Sequence, residues 1–100
     1  MINEVLDIYS QLKQSDKKLS KRRFSREYLG LCESYLNSKE YYGKDINIKG
    51  VIKLRNQLKG IADVYGQLYD ADKREHYQRK YHFFNGLANK ATDIIFHSAS

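Results

Sequence analysis

An all-α fold is predicted for this chain of 100 residues by three observations. Apolar residues recur at spacings of three and four near both ends, proline is absent, and no segment alternates apolar and polar residues as a half-buried strand does. Without proline and with few tight-turn dipeptides, the chain lacks the punctuation that an all-β fold needs. The expected architecture is a small helical domain in which a helix-turn-helix-like segment precedes a C-terminal helical pair.

The elements follow in order. Ile2, Val5, Leu6, Tyr9 and Leu12 form the stripe of an amphipathic helix. Residues 15–23 read as a polar, basic loop or a fraying helix end, with Leu19 as the one apolar anchor. Ser25 is placed to cap a short helix through Leu29, with Glu27 at its positive end. Gly30 then ends that helix, because glycine takes the left-handed conformation without a Cβ penalty. A second short helix is expected from Cys32 to Glu40, with Tyr35 and Leu36 inward and Glu33, Ser34, Asn37 and Ser38 outward.

In the second half, Val51, Leu54, Leu58, Ile61, Tyr65 and Leu68 alternate spacings of three and four, a seam able to bury itself against another helix. Gly60 and Gly66 each cost about 1 kcal/mol relative to alanine inside a helix, which leaves a kink or break at Gly60 open. Asp70, Ala71 and Asp72 look like a joint, since Asp72 with Glu75 makes an Asp-containing variant of the capping box. The stripe then resumes at Tyr77, Tyr81, Phe84, Leu87, Ala88, Ala91, Ile94 and Ile95 in a different phase, and an antiparallel pair resolves the mismatch. Buried positions are expected at Val51, Leu54, Leu58, Ile61, Leu68, Phe84 and Leu87, and Tyr77 and Tyr81 read as core aromatics.

Composition sets the outer limits. The length suits a single domain, residues 1–100, with 24–60 as the helix-turn-helix-like part and 61–97 as the C-terminal helices. A net charge of +6 and a pI near 9.4 favour anionic partners. The single cysteine, Cys32, excludes an internal disulfide and reads as a small buried residue in a reducing compartment. Asn3, Glu4 and Asp7 interrupt any signal-like opening, and no apolar run is long enough to span a bilayer, so a cytoplasmic location is expected. His76, His82 and His97 lack the spacing of a metal site, and Gly43-Lys44-Asp45 lacks the glycine pattern of a phosphate loop. Neither a metal, a cofactor nor an enzymatic activity is expected.

A helix, a glycine corner and a second helix directly behind a basic run suggest nucleic-acid binding. Lys17, Lys18, Lys21, Arg22, Arg23 and Arg26 would hold phosphates, while Glu33, Ser34, Asn37, Ser38 and Lys39 would lie along the groove. Asn37 stands out, because asparagine pairs bidentately with adenine. Tyr41, Tyr42 and Lys44, beside Gly43 in a loop, are candidates for a contact surface.

From about Phe24 to Gly60 the chain resembles the lambda-repressor/Cro-like helix-turn-helix family. The run Gly30-Leu31-Cys32-Glu33-Ser34-Tyr35-Leu36-Asn37-Ser38-Lys39-Glu40 is similar to the family's stretch from corner glycine to closing glutamate. Asn47 to Leu58 resembles its fourth helix, with Asp45 or Asn47 left to cap it. The resemblance implies that the helix from Cys32 to Glu40 is the recognition helix. Where the family places a small residue, four positions before the corner glycine, this chain has Arg26.

Two functions are therefore expected in competition. One is a small DNA-binding protein, a transcriptional regulator whose C-terminal helices form a homodimer on double-stranded DNA. The other is a non-enzymatic helical protein-interaction module, such as a phage- or plasmid-encoded, anti-CRISPR-like inhibitor that binds an RNA or protein component of a host nucleoprotein complex.

Overall fold

In the computed structural model, which describes residues 1–99, the chain forms α1 (Ile2–Ser15), α2 (Lys21–Glu27), α3 (Tyr35–Tyr41), α4 (Ile48–Asp72) and α5 (Glu75–Ala99). There is no strand among the described residues, so the all-α expectation holds.

The C-terminal pair dominates the fold. α4 and α5, 25 residues each, pack along one another as an antiparallel hairpin. Tyr65 stacks on Phe84 with centroids 5.8 Å apart, and the Tyr81 ring fills the space beside Gly66, 3.3 Å from where a Cβ would stand. Gly66 therefore exchanges helix propensity for a close aromatic approach. The joint falls at Lys73 and Arg74, with Lys73 at φ +24°, and Asp72 is the last residue of α4 rather than a cap for α5. Its carboxylate accepts from Arg74 Nε at 2.8 Å, which draws it away from the next helix.

α4 passes through Gly60 without a break. Among the described residues nothing approaches the place of a Gly60 Cβ within 4 Å, so no neighbour bends the helix there, and pairing with α5 outweighs the local propensity. The seam differs from the heptad expectation. Val51, Leu54, Leu58 and Ala62 are buried, with Tyr65 and Tyr69 partly so, whereas Ile61 is only partly covered and Leu68 is 39% exposed. A straight helix turns every 3.6 residues, so its buried face drifts away from a strict heptad and reaches Ala62, leaving Ile61 packed at its edge and Leu68 turned toward water. On α5, Phe84, Leu87, Ala88, Ala91 and Ile94 are buried, and Tyr77 and Tyr81 are half-buried.

α1 lies against this hairpin through Val5, Ile8, Tyr9 and Leu12. Asp7 pairs with Lys90 at 3.7 Å, and Ser15 accepts from Lys80 Nζ at 3.1 Å, so α1 runs antiparallel to α5. Its N-terminal turn is tied to the α3–α4 loop by Asp45, whose carboxylate accepts from Ile2 N–H at 2.8 Å. That carboxylate also accepts from Ile46 N–H; these backbone donors hold its pKa below the ordinary value, with the Ile46 bond as the first cause.

The basic run is more ordered than a loop. Ser20, not Ser25, caps α2, its hydroxyl accepting from Arg23 N–H at 3.1 Å, and the buried Leu19 pins the entry. Phe24 anchors the helix in the core edge-on to Tyr9, 5.4 Å between centroids, and Tyr28 stacks on it. Burial pushes the Tyr28 phenol above its ordinary pKa, which keeps it neutral.

Candidate nucleic-acid interface

Two short helices build the candidate surface. The second is α3, which begins at Tyr35 rather than Cys32, with residues 28–34 connecting it to α2. That connection is longer than the roughly three or four residues of a typical helix-turn-helix. Gly30 does take the left-handed conformation, φ +66°, and a Cβ there would lie 2.6 Å from Lys53 Cδ. The corner is thus closed from above by the stem of an α4 lysine.

Ser25 joins the two helices. It is fully buried, donates its hydroxyl to Lys21 C=O at 2.9 Å and accepts from Leu36 N–H at 3.2 Å. A helix leaves its first N–H groups without intrahelical partners, and Ser34, the residue at the N-cap of α3, makes no side-chain cap bond. Ser25 therefore caps α3 from the neighbouring helix. The small residue at the helix contact is Ser25, while Arg26 points to the surface. Leu36, fully buried, holds α3 from behind, and the half-buried Tyr35 accepts from Asn47 N–H through its hydroxyl at 2.8 Å. Asn47 in turn caps α4 by accepting from Lys49 N–H at 2.9 Å, which resolves the choice between Asp45 and Asn47.

With Leu36 inward, Ser34, Asn37, Ser38 and Tyr41 share one exposed face at spacings of three and four. The side chains of Asn37 and Ser38 make no hydrogen bond among the described residues. Glu33 is different. Its two carboxylate oxygens are taken by Arg22 Nη2 at 2.9 Å and Arg26 Nη1 at 2.8 Å, so it is engaged rather than available.

Lys21 and Arg23 are engaged as well. Lys21 pairs with Glu40 at 2.8 Å, and Arg23 pairs with Glu27 at 3.2 Å and with Asp16 at 3.9 Å. Lys21 meets Glu40, Ser25 meets Leu36, and Arg22 and Arg26 meet Glu33; that order is the order of an antiparallel pair. Lys17 and Lys18 are exposed and form no ion pair among the described residues. Lys53, which the sequence pattern does not single out, is likewise exposed and without an ion pair among them, and only its contact with Gly30 across the fold reveals it. Lys39 lies over the Tyr35 ring, 5.3 Å from its centroid.

Tyr41 and Tyr42 stand out at 83% and 70% exposure, their rings edge-to-face at 5.0 Å, with exposed Lys44 beyond them. Cys32 is exposed rather than buried, because it lies in the connection ahead of α3, with Sγ 3.6 Å from Ser34 Oγ. Negative charge gathers elsewhere: a cleft of 760 Å³ between α1, α5 and the α3–α4 loop is lined by Glu4, Asp7, Asp45 and Asp93, with Lys90 among them.

Among the described residues no helix is long and apolar enough to cross a membrane. No curated protein and no solved structure matches the chain. A family model does, over residues 5–99, and the chain belongs to that family, DUF6626, a family of unknown function.

Proposed function

We propose that this protein binds double-stranded DNA and acts as a small transcriptional regulator, with α3 presented to the groove. The observation that carries the reading is the outward face of α3. Ser34, Asn37 and Ser38 are exposed polar side chains on a helix fixed from behind by Leu36 and by the Ser25 hydroxyl. Such a face suits base edges, and asparagine there suits adenine. Lys17, Lys18 and Lys53 supply cations free of ion pairs among the described residues, and Arg22, Arg23 and Arg26 are held only by exposed pairs, which are weak enough to exchange for phosphate. Selection of bound sequences from a random duplex pool tests the reading: enrichment of one motif supports it, and recovery of the input distribution with no affinity at low salt contradicts it.

A second reading rests on a different observation. Val64 and Leu68 lie one turn apart on α4, 55% and 39% exposed, and Tyr41 and Tyr42 project from the end of α3. These apolar surfaces favour a helical protein-interaction module, including an inhibitor of a host nucleoprotein complex. The same α4 surface is where a homodimer of the DNA-binding form would meet. Sedimentation across micromolar concentrations separates monomer from dimer, and Leu68→Asp should shift a dimer to monomer.

A further inference from the structure

Glu33 sits between two arginines that the groove reading needs. Arg22 and Arg26 are one helical turn apart on α2, and each gives one guanidinium N–H to a different oxygen of the same carboxylate, at 2.9 and 2.8 Å. Two guanidinium groups converging on the two oxygens of one anion form an arrangement that also fits two non-bridging oxygens of a phosphate. The side chains are well exposed, 69% for Arg22, 54% for Arg26 and 40% for Glu33, so a phosphate has access and the carboxylate can swing into water. Glu33 lies in the connection leading into α3, beside the face that carries Ser34 and Asn37.

We infer that Arg22 and Arg26 form a binding site for a backbone phosphate of duplex DNA and that Glu33 is its internal competitor, occupying the site until DNA displaces it. The inference rests on the DNA-binding reading above and adds a threshold to it. Phosphate binding to α2 occurs only when the phosphate outcompetes a tethered carboxylate, so weak, diffuse encounters are penalised. Arg23 makes no contact with Glu33 and pairs instead with Glu27 and Asp16; Glu27 also reaches Arg26 Nη2, at 3.6 Å, a longer contact than the 2.8 Å from Arg26 to Glu33.

Affinity for a random-sequence duplex at low salt tests this with four proteins compared to the parent. Glu33→Gln keeps the shape of the side chain and removes its charge. It should bind about two- to thirtyfold more tightly, the factor that corresponds to releasing two exposed ion pairs. Arg22→Ala with Arg26→Ala should bind more weakly and flatten the salt slope by about 0.9 for each phosphate that is no longer neutralised. Adding Glu33→Gln to that pair should give no gain beyond that of Asp70→Asn, which removes one exposed carboxylate, paired with Lys73 at the far end of α4, and gauges what losing a negative charge and one ion pair does away from the site. Parent affinity with no tightening in Glu33→Gln overturns the competitor role and leaves DNA binding standing. So does an equal gain from Asp70→Asn, or a gain that persists without the two arginines. If neither the parent nor Glu33→Gln binds duplex, while circular dichroism shows both helical, the DNA-binding reading itself falls.

Discussion

Ser25 carries more of this structure than its size suggests. Its hydroxyl is the partner of Leu36 N–H, a group that α3 cannot satisfy internally, and it also returns a bond to its own helix. Ser25→Ala should destabilise the protein by about 1 to 3 kcal/mol, because it leaves a buried N–H without a partner. Chemical denaturation checks this, and a negligible change would mean that water reaches Leu36 N–H. Asp45 makes a second prediction at this scale. Its folded pKa is depressed by the Ile46 and Ile2 N–H groups, so its contribution is present above the ordinary aspartate pKa and lost as pH falls through the folded value. Stability should fall through that acid window in the parent and fall less in Asp45→Asn.

α4 and the two short helices differ in how much of their packing is local. The apolar spacing makes α4, α5 and α1 legible, because periodicity is a local property that survives folding. A heptad places Ile61 and Leu68 on the buried face, whereas the 3.6-residue turn centres that face on Ala62, with Ile61 at its edge and Leu68 partly in water. Ser25 is legible as a capping residue type, but the helix that it caps lies eleven positions on, and sequence order does not show that. The engagement of Glu33 by Arg22 and Arg26 is hidden for the same reason: like the Ser25 bond, it spans a chain reversal. Substitutions separate the two seams. Leu58→Ala, at a fully buried site, should cost about 2 to 5 kcal/mol through the transfer energy of the missing atoms and the cavity they leave. Leu68→Ala should cost much less, since Leu68 is already substantially in water. Gly60→Ala should stabilise the helix by up to about 1 kcal/mol, because the place of its Cβ is open. Thermal denaturation orders all three, and a destabilising Gly60→Ala would mean that the helix is strained there.

Over the whole molecule, charge and shape divide the work. α4 and α5 with α1 form the frame, and α2 and α3 are held on it by Phe24, Leu29 and Leu36. Carboxylates collect in the cleft beside α1, while Lys17, Lys18 and Lys53 carry cations outside the ion pairs of the described residues. DNA approaching the α2–α3 side would avoid the carboxylates of that cleft. Whether α3 reads bases is decided by Asn37→Ala. Its affinity should be measured on the sequence selected by the parent and on a random duplex of equal length, at the same salt. The loss expected is about 1 to 3 kcal/mol on the selected sequence, with little change on the random one, because non-specific binding does not use base edges. Unchanged affinity on the selected sequence, or equal losses on both, would contradict base reading by α3.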